Sequence, residues 1–247
     1  VYTLPLAAEN GYLPDLDAIP AAVAQRARLL WLNYPNNPTG ATADLAFFER
    51  AVHFARRHEI LLCHDAPYCD VTFDGYRAPS LLSVPGAREV AVEFNSLSKS
   101  HNMAGWRVGM ALGNPTAIKA LTLVKSNADS GIFTAIQEAA ITALTGDQSW
   151  LQARNAIYQA RRDLVLAGLA AAGIQAEAPQ AGLYVWAAVP PGFSAAAFAT
   201  LLLEGTGVSL TPGSAFGAHG EGFVRASLGL DTERIQEAMR RVGAFRW

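Results

Sequence analysis

Short apolar runs alternate with polar and amphipathic segments through the first half of the chain. Four of these runs are short enough to predict buried strands, and they occupy 29–32, 60–63, 90–94 and 108–112. Between the first two, Asp44 precedes a segment that places Phe48, Val52 and Ala55 on the same face as Leu45, which predicts an amphipathic helix. Apolar strands separated by helices favour an α/β fold with a mainly parallel sheet flanked by helices.

The second half has a different pattern. Helices are predicted at about 133–145, 149–172, 195–204 and 231–243, with short strands near 183–188 and 223–228. We therefore expect a large domain over 1–150 and a smaller C-terminal α+β domain over 151–247. At the other end, the apolar residues 1–6 resemble the inside of a strand, and we expect Val1 to lie within a larger protein.

Polar residues follow several of the predicted strands. Asn37 lies in a turn after the first strand, Asp65 ends the second, and Ser96 follows the third. Open parallel sheets carry their working groups in the loops beyond the carboxyl ends of the strands. The sequence therefore predicts a site that brings these three positions together.

The segment Ser96-Leu97-Ser98-Lys99, followed by an arginine between glycines at Arg107, carries the most specific chemistry. Lysine forms a Schiff base with an aldehyde cofactor and then serves as the base that moves a proton at the substrate Cα. Arg107 with the hydroxyls of Ser96 and Ser98 suits a phosphate. An aldehyde that carries a phosphate is pyridoxal 5'-phosphate (PLP). The alternative is a solvated surface lysine, which the predicted strand before it and the arginine after it disfavour.

Three further positions fit the same cofactor. Asp65 suits a protonated pyridine nitrogen, and Tyr68 and Asn37 suit the phenolic oxygen. Each position also has an ordinary structural explanation. Asp65 could cap a helix or end a turn, Tyr68 could pack in the core, and Asn37 could serve only as a turn residue. Arg225 lies between apolar residues in a predicted strand, where a buried arginine needs an anion. A substrate carboxylate and a structural Asp or Glu are both open on spacing alone.

Composition narrows the function classes. Apolar residues make up 51% of the chain and charged residues 16%, which indicates a globular protein. A net charge of −2 gives no basic field for nucleic acid or an anionic membrane. Two cysteines fit a reducing cytoplasm, and five scattered histidines show no metal-binding spacing, so we expect no metal.

These motifs, in this order, resemble the class I/II aminotransferases, the fold-type I group of PLP enzymes. The resemblance runs through nearly the whole chain and rests on Asn37-Pro38-Thr39-Gly40, Asp65 with Tyr68, Ser96 to Lys99, Arg107 and Arg225. It implies that Asn37 and Tyr68 contact the phenolic oxygen, Asp65 the pyridine nitrogen and Arg107 the phosphate. It also implies that Arg225, with Asn37, binds the substrate carboxylate, and that the protein is a homodimer acting on an amino acid and a 2-oxo acid such as 2-oxoglutarate.

Within this group the chain is most similar to bacterial LL-diaminopimelate aminotransferases of lysine biosynthesis. The segments that carry this similarity are 64–68, 102–107 and 125–133. Ser100-His101 and Pro67 depart from the residues usual in the group without removing an implied cofactor contact. LL-2,6-diaminopimelate is therefore the expected amino donor.

The resemblance also bears on the N-terminus. Family members carry a phosphate loop, an aromatic residue stacked on the pyridine ring and a partner-subunit tyrosine ahead of the position that Val1 occupies here. We expect a protein that starts at Val1 to be unstable and weakly active or inactive. Two other functions stay open: a PLP-dependent lyase of the same fold, and a non-catalytic effector-binding domain of a regulator.

Overall fold

A computed structural model describes all residues, 1–247, and contains two β-sheets. The seven strands are β1 (Leu29–Asn33), β2 (Leu61–Asp65), β3 (Ala91–Ser96), β4 (Gly109–Gly113), β5 (Tyr184–Ala188), β6 (Thr211–Pro212) and β7 (Phe223–Ser227). The nine α-helices are α1 (Ala21–Arg26), α2 (Leu45–Arg57), α3 (Ala87–Val90), α4 (Leu97–Ser100), α5 (Pro115–Ala128), α6 (Thr134–Thr145), α7 (Trp150–Ala171), α8 (Ala195–Thr206) and α9 (Thr232–Ala244).

The first sheet has the order β1-β2-β3-β4 and is mainly parallel, as predicted. Strand β4 is the exception, because Ser96 of β3 pairs with Gly109 of β4 in antiparallel register. The segment between β3 and β4 stays at one end of the sheet and contains only short helices such as α4. A parallel pairing would need a longer connection that carries the chain back to the other end of the sheet.

Helix α2 forms as the sequence predicts and packs against this sheet. The Asp44 carboxylate caps it by accepting a hydrogen bond from the amide of Phe47 at 2.7 Å. Phe48, Val52 and Ala55 are buried in a core with Leu62 of β2. Leu45 was expected on the same face, but it is exposed, since it occupies the first helical position at the edge of that face.

The second sheet is antiparallel, in the order β5-β7-β6. Helices α7, α8 and α9 cover it and form a second core that includes Phe198, Leu202 and Val242. Tyr68, Val71 and Phe73 from the first half of the chain lie in that same core. The division at residue 150 stays a prediction, and the second core draws on residues from both sides of it.

Two segments differ from the expectations. Residues 1–6 are irregular and not a strand, because they pair with no strand and Pro5 has no amide N–H to donate. Helix α5 was missed, although Asn114 caps it and Pro115 opens it. Leu121 and Leu123, two residues apart, lie on opposite sides of α5, so its apolar side chains lack the one-sided pattern from which helices are recognised.

Candidate functional site

The carboxyl ends of β1, β2 and β3 place the predicted polar residues at one end of the first sheet. Asn33 pairs with Asp65 in the β1–β2 register, and Asp65 pairs with Phe94 two residues before Ser96. The loop with Asn37 follows β1, and α4 with Lys99 follows β3. The parallel pairing thus assembles segments that are distant in sequence, as expected for groups that follow the ends of parallel strands.

Asp65 is half-buried and has one free acceptor. Asn33 Nδ2 donates to its Oδ2 at 3.2 Å and to its backbone carbonyl at 2.8 Å, while no protein group donates to Oδ1. Burial raises the pKa of Asp65 above its ordinary value, and the neighbouring His64 acts in the opposite direction. The carboxylate borders an open groove of about 980 Å³ and has no cationic partner on its free oxygen.

Tyr68 and Arg225 lie together at the boundary of the two sheets. The Arg225 guanidinium stacks on the Tyr184 ring at 4.0 Å and on the Phe216 ring at 4.6 Å. Burial, followed by the neighbouring Tyr184 hydroxyl, raises the pKa of Tyr68, and Arg225 acts against that rise. Tyr184 was not singled out from the sequence, because an aromatic residue in a strand gives no signal of its own.

The Arg225 guanidinium has one N–H group with a hydrogen-bond acceptor and one without. Its Nη1 donates to Asn37 Oδ1 at 2.8 Å, whereas its Nε is buried without any hydrogen-bond partner. A buried guanidinium N–H without an acceptor is unfavourable and is complemented by an anion. Because Asn37 presents its oxygen to Arg225, its amide nitrogen is left to donate to another group. The structure therefore brings Asn37 and Arg225, which are 188 residues apart, into direct contact.

Lys99 lies in the one-turn helix α4. Its side chain is half-buried and its amine has neither a hydrogen bond nor an ion pair within the protein. Ser96 caps this helix through a hydrogen bond from the amide of Ser98 to Ser96 Oγ at 3.1 Å. The amide of Leu97 donates to Val108 O at 3.2 Å, which fixes the loop before β4 against the lysine helix.

Arg107 is exposed and adopts a left-handed backbone conformation with φ of 57°. Such a conformation is uncommon for a residue with a side chain, and it occurs more often at functional sites. Its Nη1 donates to Ala104 O at 3.0 Å. No hydrogen bond joins Arg107 to Ser96, Ser98 or Lys99 within the protein, and Ser96 Oγ donates to Val108 O at 3.4 Å.

His64, which precedes Asp65 in β2, forms a buried pair with Glu93 of β3. His64 Nε2 donates to Tyr34 O at 2.9 Å, and His64 Nδ1 lies 3.0 Å from Glu93 Oε2. Both ring nitrogens face acceptors, a main-chain carbonyl on one side and the Glu93 carboxylate on the other. Burial alone would raise the pKa of Glu93, but hydrogen bonds from His64, Ser80 and Asn95 outweigh it and lower that pKa.

The side chains offer no metal site. No group of three or more His, Cys, Asp or Glu side chains is arranged to hold a metal ion. No helix is long and apolar enough to cross a membrane. The free groups of the site are instead a carboxylate oxygen, an amine, an amide nitrogen and two guanidinium groups. This set complements a ligand that has a cationic nitrogen, a reactive carbonyl and anionic groups.

Known proteins are similar to this chain along nearly its whole length. An LL-diaminopimelate aminotransferase of Moorella thermoacetica is 53% identical over 241 residues, covering 98% of this chain and 62% of that protein. LL-diaminopimelate aminotransferase 2 of Trichormus variabilis is also 53% identical with the same coverage. The chain thus spans about 62% of the length of these curated relatives.

Solved structures show the same similarity in three dimensions. Apo-BacF from Bacillus subtilis superposes with a TM-score of 0.93 at 40% identity, covering 98% of this chain and 65% of that one. A probable N-succinyldiaminopimelate aminotransferase from Thermus thermophilus gives 0.91 at 39% identity, covering 98% and 64%. The family model "Aminotransferase class I and II" matches residues 1–242. The fold, the order of the motifs and this match together show that the chain belongs to the class I and II aminotransferase family.

Proposed function

We propose that the complete protein is a PLP-dependent aminotransferase that moves an amino group between an amino acid and a 2-oxo acid. The observation that carries the proposal is Arg225, whose buried Nε has no partner and whose Nη1 is oriented by Asn37. An α-carboxylate is the anion that an amino acid and a 2-oxo acid share. Arg225 therefore suits both substrates of such a reaction.

The residues present fit PLP. When bound, PLP supplies an electron-accepting pyridinium ring and an aldehyde carbon that carries the amino group. Asp65, through its free Oδ1, would hold the ring nitrogen, and the half-buried carboxylate would gain the cation that it lacks within the protein. Tyr68 Oη and the Asn37 amide would hold the phenolic oxygen. Ser96, Ser98 and Arg107 would hold the phosphate, with Ser96 also capping α4.

Lys99 moves the proton. Its amine has no partner in the protein, so it is available first to hold the aldehyde carbon and then to take the proton from the substrate Cα. Arg225 fixes the carboxylate while this transfer occurs, and its stacking between Tyr184 and Phe216 holds the guanidinium in place. Lys99, in the first half of the chain, thus transfers the proton, and Arg225, in the second half, orients the substrate.

We propose LL-2,6-diaminopimelate as the amino donor and 2-oxoglutarate as an acceptor. The support is that relatives named LL-diaminopimelate aminotransferase are 53% identical over 98% of the chain. We also propose a homodimer in the cytoplasm. Exposed apolar side chains at Leu123, Val124 and Phe133 support an interface there, and the free thiols Cys63 and Cys69 support a reducing compartment.

The absorption spectrum of the purified complete protein with PLP tests the proposal. We expect a visible band from the lysine-bound cofactor that disappears when LL-2,6-diaminopimelate converts the cofactor to its amine form. Lys99→Ala should lose the band and the activity, whereas Lys119→Ala, at an exposed lysine of α5, should keep both. A Lys99→Ala variant with wild-type turnover would refute the lysine assignment. Loss of substrate without the amine form would instead indicate a lyase.

A further inference from the structure

Arg154, in the first turns of α7, is buried and has no carboxylate partner. Its guanidinium donates to main-chain carbonyls: Nη1 to Lys99 O at 3.2 Å and to Ser100 O, and Nη2 to Asp70 O at 2.6 Å. Its Nε and Nη2 also donate to Asn155 Oδ1 at 3.1 and 2.8 Å. One cation thus binds the backbone of the lysine that the site depends on.

This arrangement differs from that of another buried arginine on the same helix. Arg162 pairs with the carboxylates of Asp74 and Asp163, which is how proteins ordinarily compensate a buried charge. Arg154 is compensated by carbonyl and amide oxygens and by the Trp150 ring, whose centroid lies 5.4 Å from the guanidinium carbon, and burial lowers its pKa. The carbonyls of Lys99 and Ser100 are at the C-terminal end of α4, where unpaired carbonyls favour a cation.

The three carbonyls belong to two separate segments of the site. Lys99 and Ser100 form the end of α4, whereas Asp70 lies in the turn that follows Asp65 and Tyr68. Asn155 Nδ2 reinforces the second contact by donating to Asp70 O at 2.9 Å. Because α7 belongs to the second half of the chain, a single side chain fixes both segments relative to each other and to the helix that covers the second sheet.

We propose that Arg154 is a positioning residue that holds the main chain of Lys99 in register with the Asp65–Tyr68 segment. The inference rests on the proposed function and adds to it a residue that does not touch the substrate. Without the guanidinium, α4 loses the contacts at its carbonyl end, and the amine at Lys99 samples more positions. The proton transfer then slows, while binding at Arg225 is retained.

The test compares Arg154→Gln and Arg154→Lys with Arg161→Gln in the complete protein. Arg161 is on the same helix and also donates to a carbonyl, Leu228 O, but it contacts only the second half of the chain. For Arg154→Gln we expect kcat to fall by about 10- to 100-fold with KM changed less than about 3-fold. Arg154→Lys should recover part of kcat, and Arg161→Gln should keep it.

A second measurement does not depend on cofactor or turnover. The chain has three lysines, Lys99, Lys119 and Lys125, so the labelling rate of Lys99 by an amine reagent can be referred to exposed Lys119 within each sample. In cofactor-free protein, Arg154→Gln should change the ratio of the two rates by about 3-fold or more, since a displaced amine changes its access and hydrogen bonding. Arg161→Gln should leave the ratio unchanged.

The outcomes separate the inference from the function on which it rests. An inactive wild-type protein would refute the proposed function, while the labelling ratio would still test the position of Lys99. An active wild type whose Arg154→Gln variant keeps kcat and the labelling ratio within about 2-fold would overturn the inference. If Arg154→Gln does not fold, Asn155→Ala removes part of the same clamp, and an unchanged kcat and ratio there would overturn it equally.

Discussion

Replacing Glu93 by glutamine tests whether the buried pair beneath Asp65 is ionic. The Glu93 carboxylate accepts hydrogen bonds from Ser80 Oγ at 2.9 and 3.1 Å and from the amide of Leu81 at 2.8 Å, in addition to its contact with His64. Glutamine keeps the shape and one acceptor oxygen but places an amide N–H2 against groups that are themselves donors. The contact between His64 Nδ1 and a carboxylate oxygen is then replaced by a contact with a neutral amide.

The expected loss follows from the burial of both partners. The His64 and Glu93 side chains are 1% and 8% exposed. Removing one partner of a buried pair lowers the free energy of unfolding by about 3–5 kcal/mol. Because glutamine retains one acceptor oxygen, we expect a loss of about 3 kcal/mol for this variant. With a urea dependence of about 3 kcal/mol/M, the unfolding midpoint at pH 7 should fall by about 1 M.

The pH dependence has a definite sign. The folded state lowers the pKa of Glu93 below its ordinary value of 4.5. The stabilisation is therefore fully present above pH 4.5 and is lost as pH falls through the lower, folded-state pKa. The difference between wild type and Glu93→Gln should narrow as pH falls below 4.5, because the unfolded carboxyl binds a proton at a higher pH than the folded one.

Urea unfolding followed by circular dichroism at pH 7 and at pH 4 measures both effects. Glu89→Gln is the matched control, because Glu89 is 73% exposed and pairs with Arg56 at 2.8 Å on the surface. That variant should lose about 0.2–1 kcal/mol or less. A Glu93→Gln loss no larger than that of Glu89→Gln, or one that is the same at both pH values, would refute the ionic pair.

Three further predictions concern the site and the packing that supports it. Arg225→Gln should lower kcat/KM for amino acids by about 100-fold, since it removes the guanidinium that we propose binds the substrate carboxylate. Steady-state kinetics that show less than a tenfold loss would contradict this. Asp65→Asn should reduce kcat by about 100-fold without unfolding the protein, because a neutral amide cannot stabilise a cationic ring nitrogen as the carboxylate can. The single-turnover decay of the cofactor band measures this effect. Gly168→Val should lower the unfolding free energy by about 1–3 kcal/mol or more, because a Cβ there would lie 2.5 Å from Met239 Cβ. The control Ala167→Val, at an exposed position of the same helix, should cost less than about 1 kcal/mol in the same urea experiment.

Local patterns were sufficient for much of the architecture. The apolar runs before Asn37, Asp65 and Ser96 indicate β1, β2 and β3. Strand β2 is buried along most of its length, whereas β1 alternates, with Leu29 and Trp31 exposed. The cap at Asp44 and the spacing of Phe48 and Val52 indicate α2. Helix α5 could not be recognised in this way, because apolar residues such as Leu121 and Leu123 lie on opposite sides of it.

By itself, the sequence determined the chemical types at the site: a lysine after hydroxyl residues, a carboxylate at a strand end, and an arginine within an apolar strand. It also determined their order, which is what marks the family. Only the tertiary structure decided that Asn37 contacts Arg225, that His64 hydrogen-bonds with Glu93 and Tyr34, and that Arg154 binds the backbone of Lys99. These contacts join residues 29 to 188 positions apart. Their partners are set by strand register and helix docking, for which side-chain spacing along one segment contains no information.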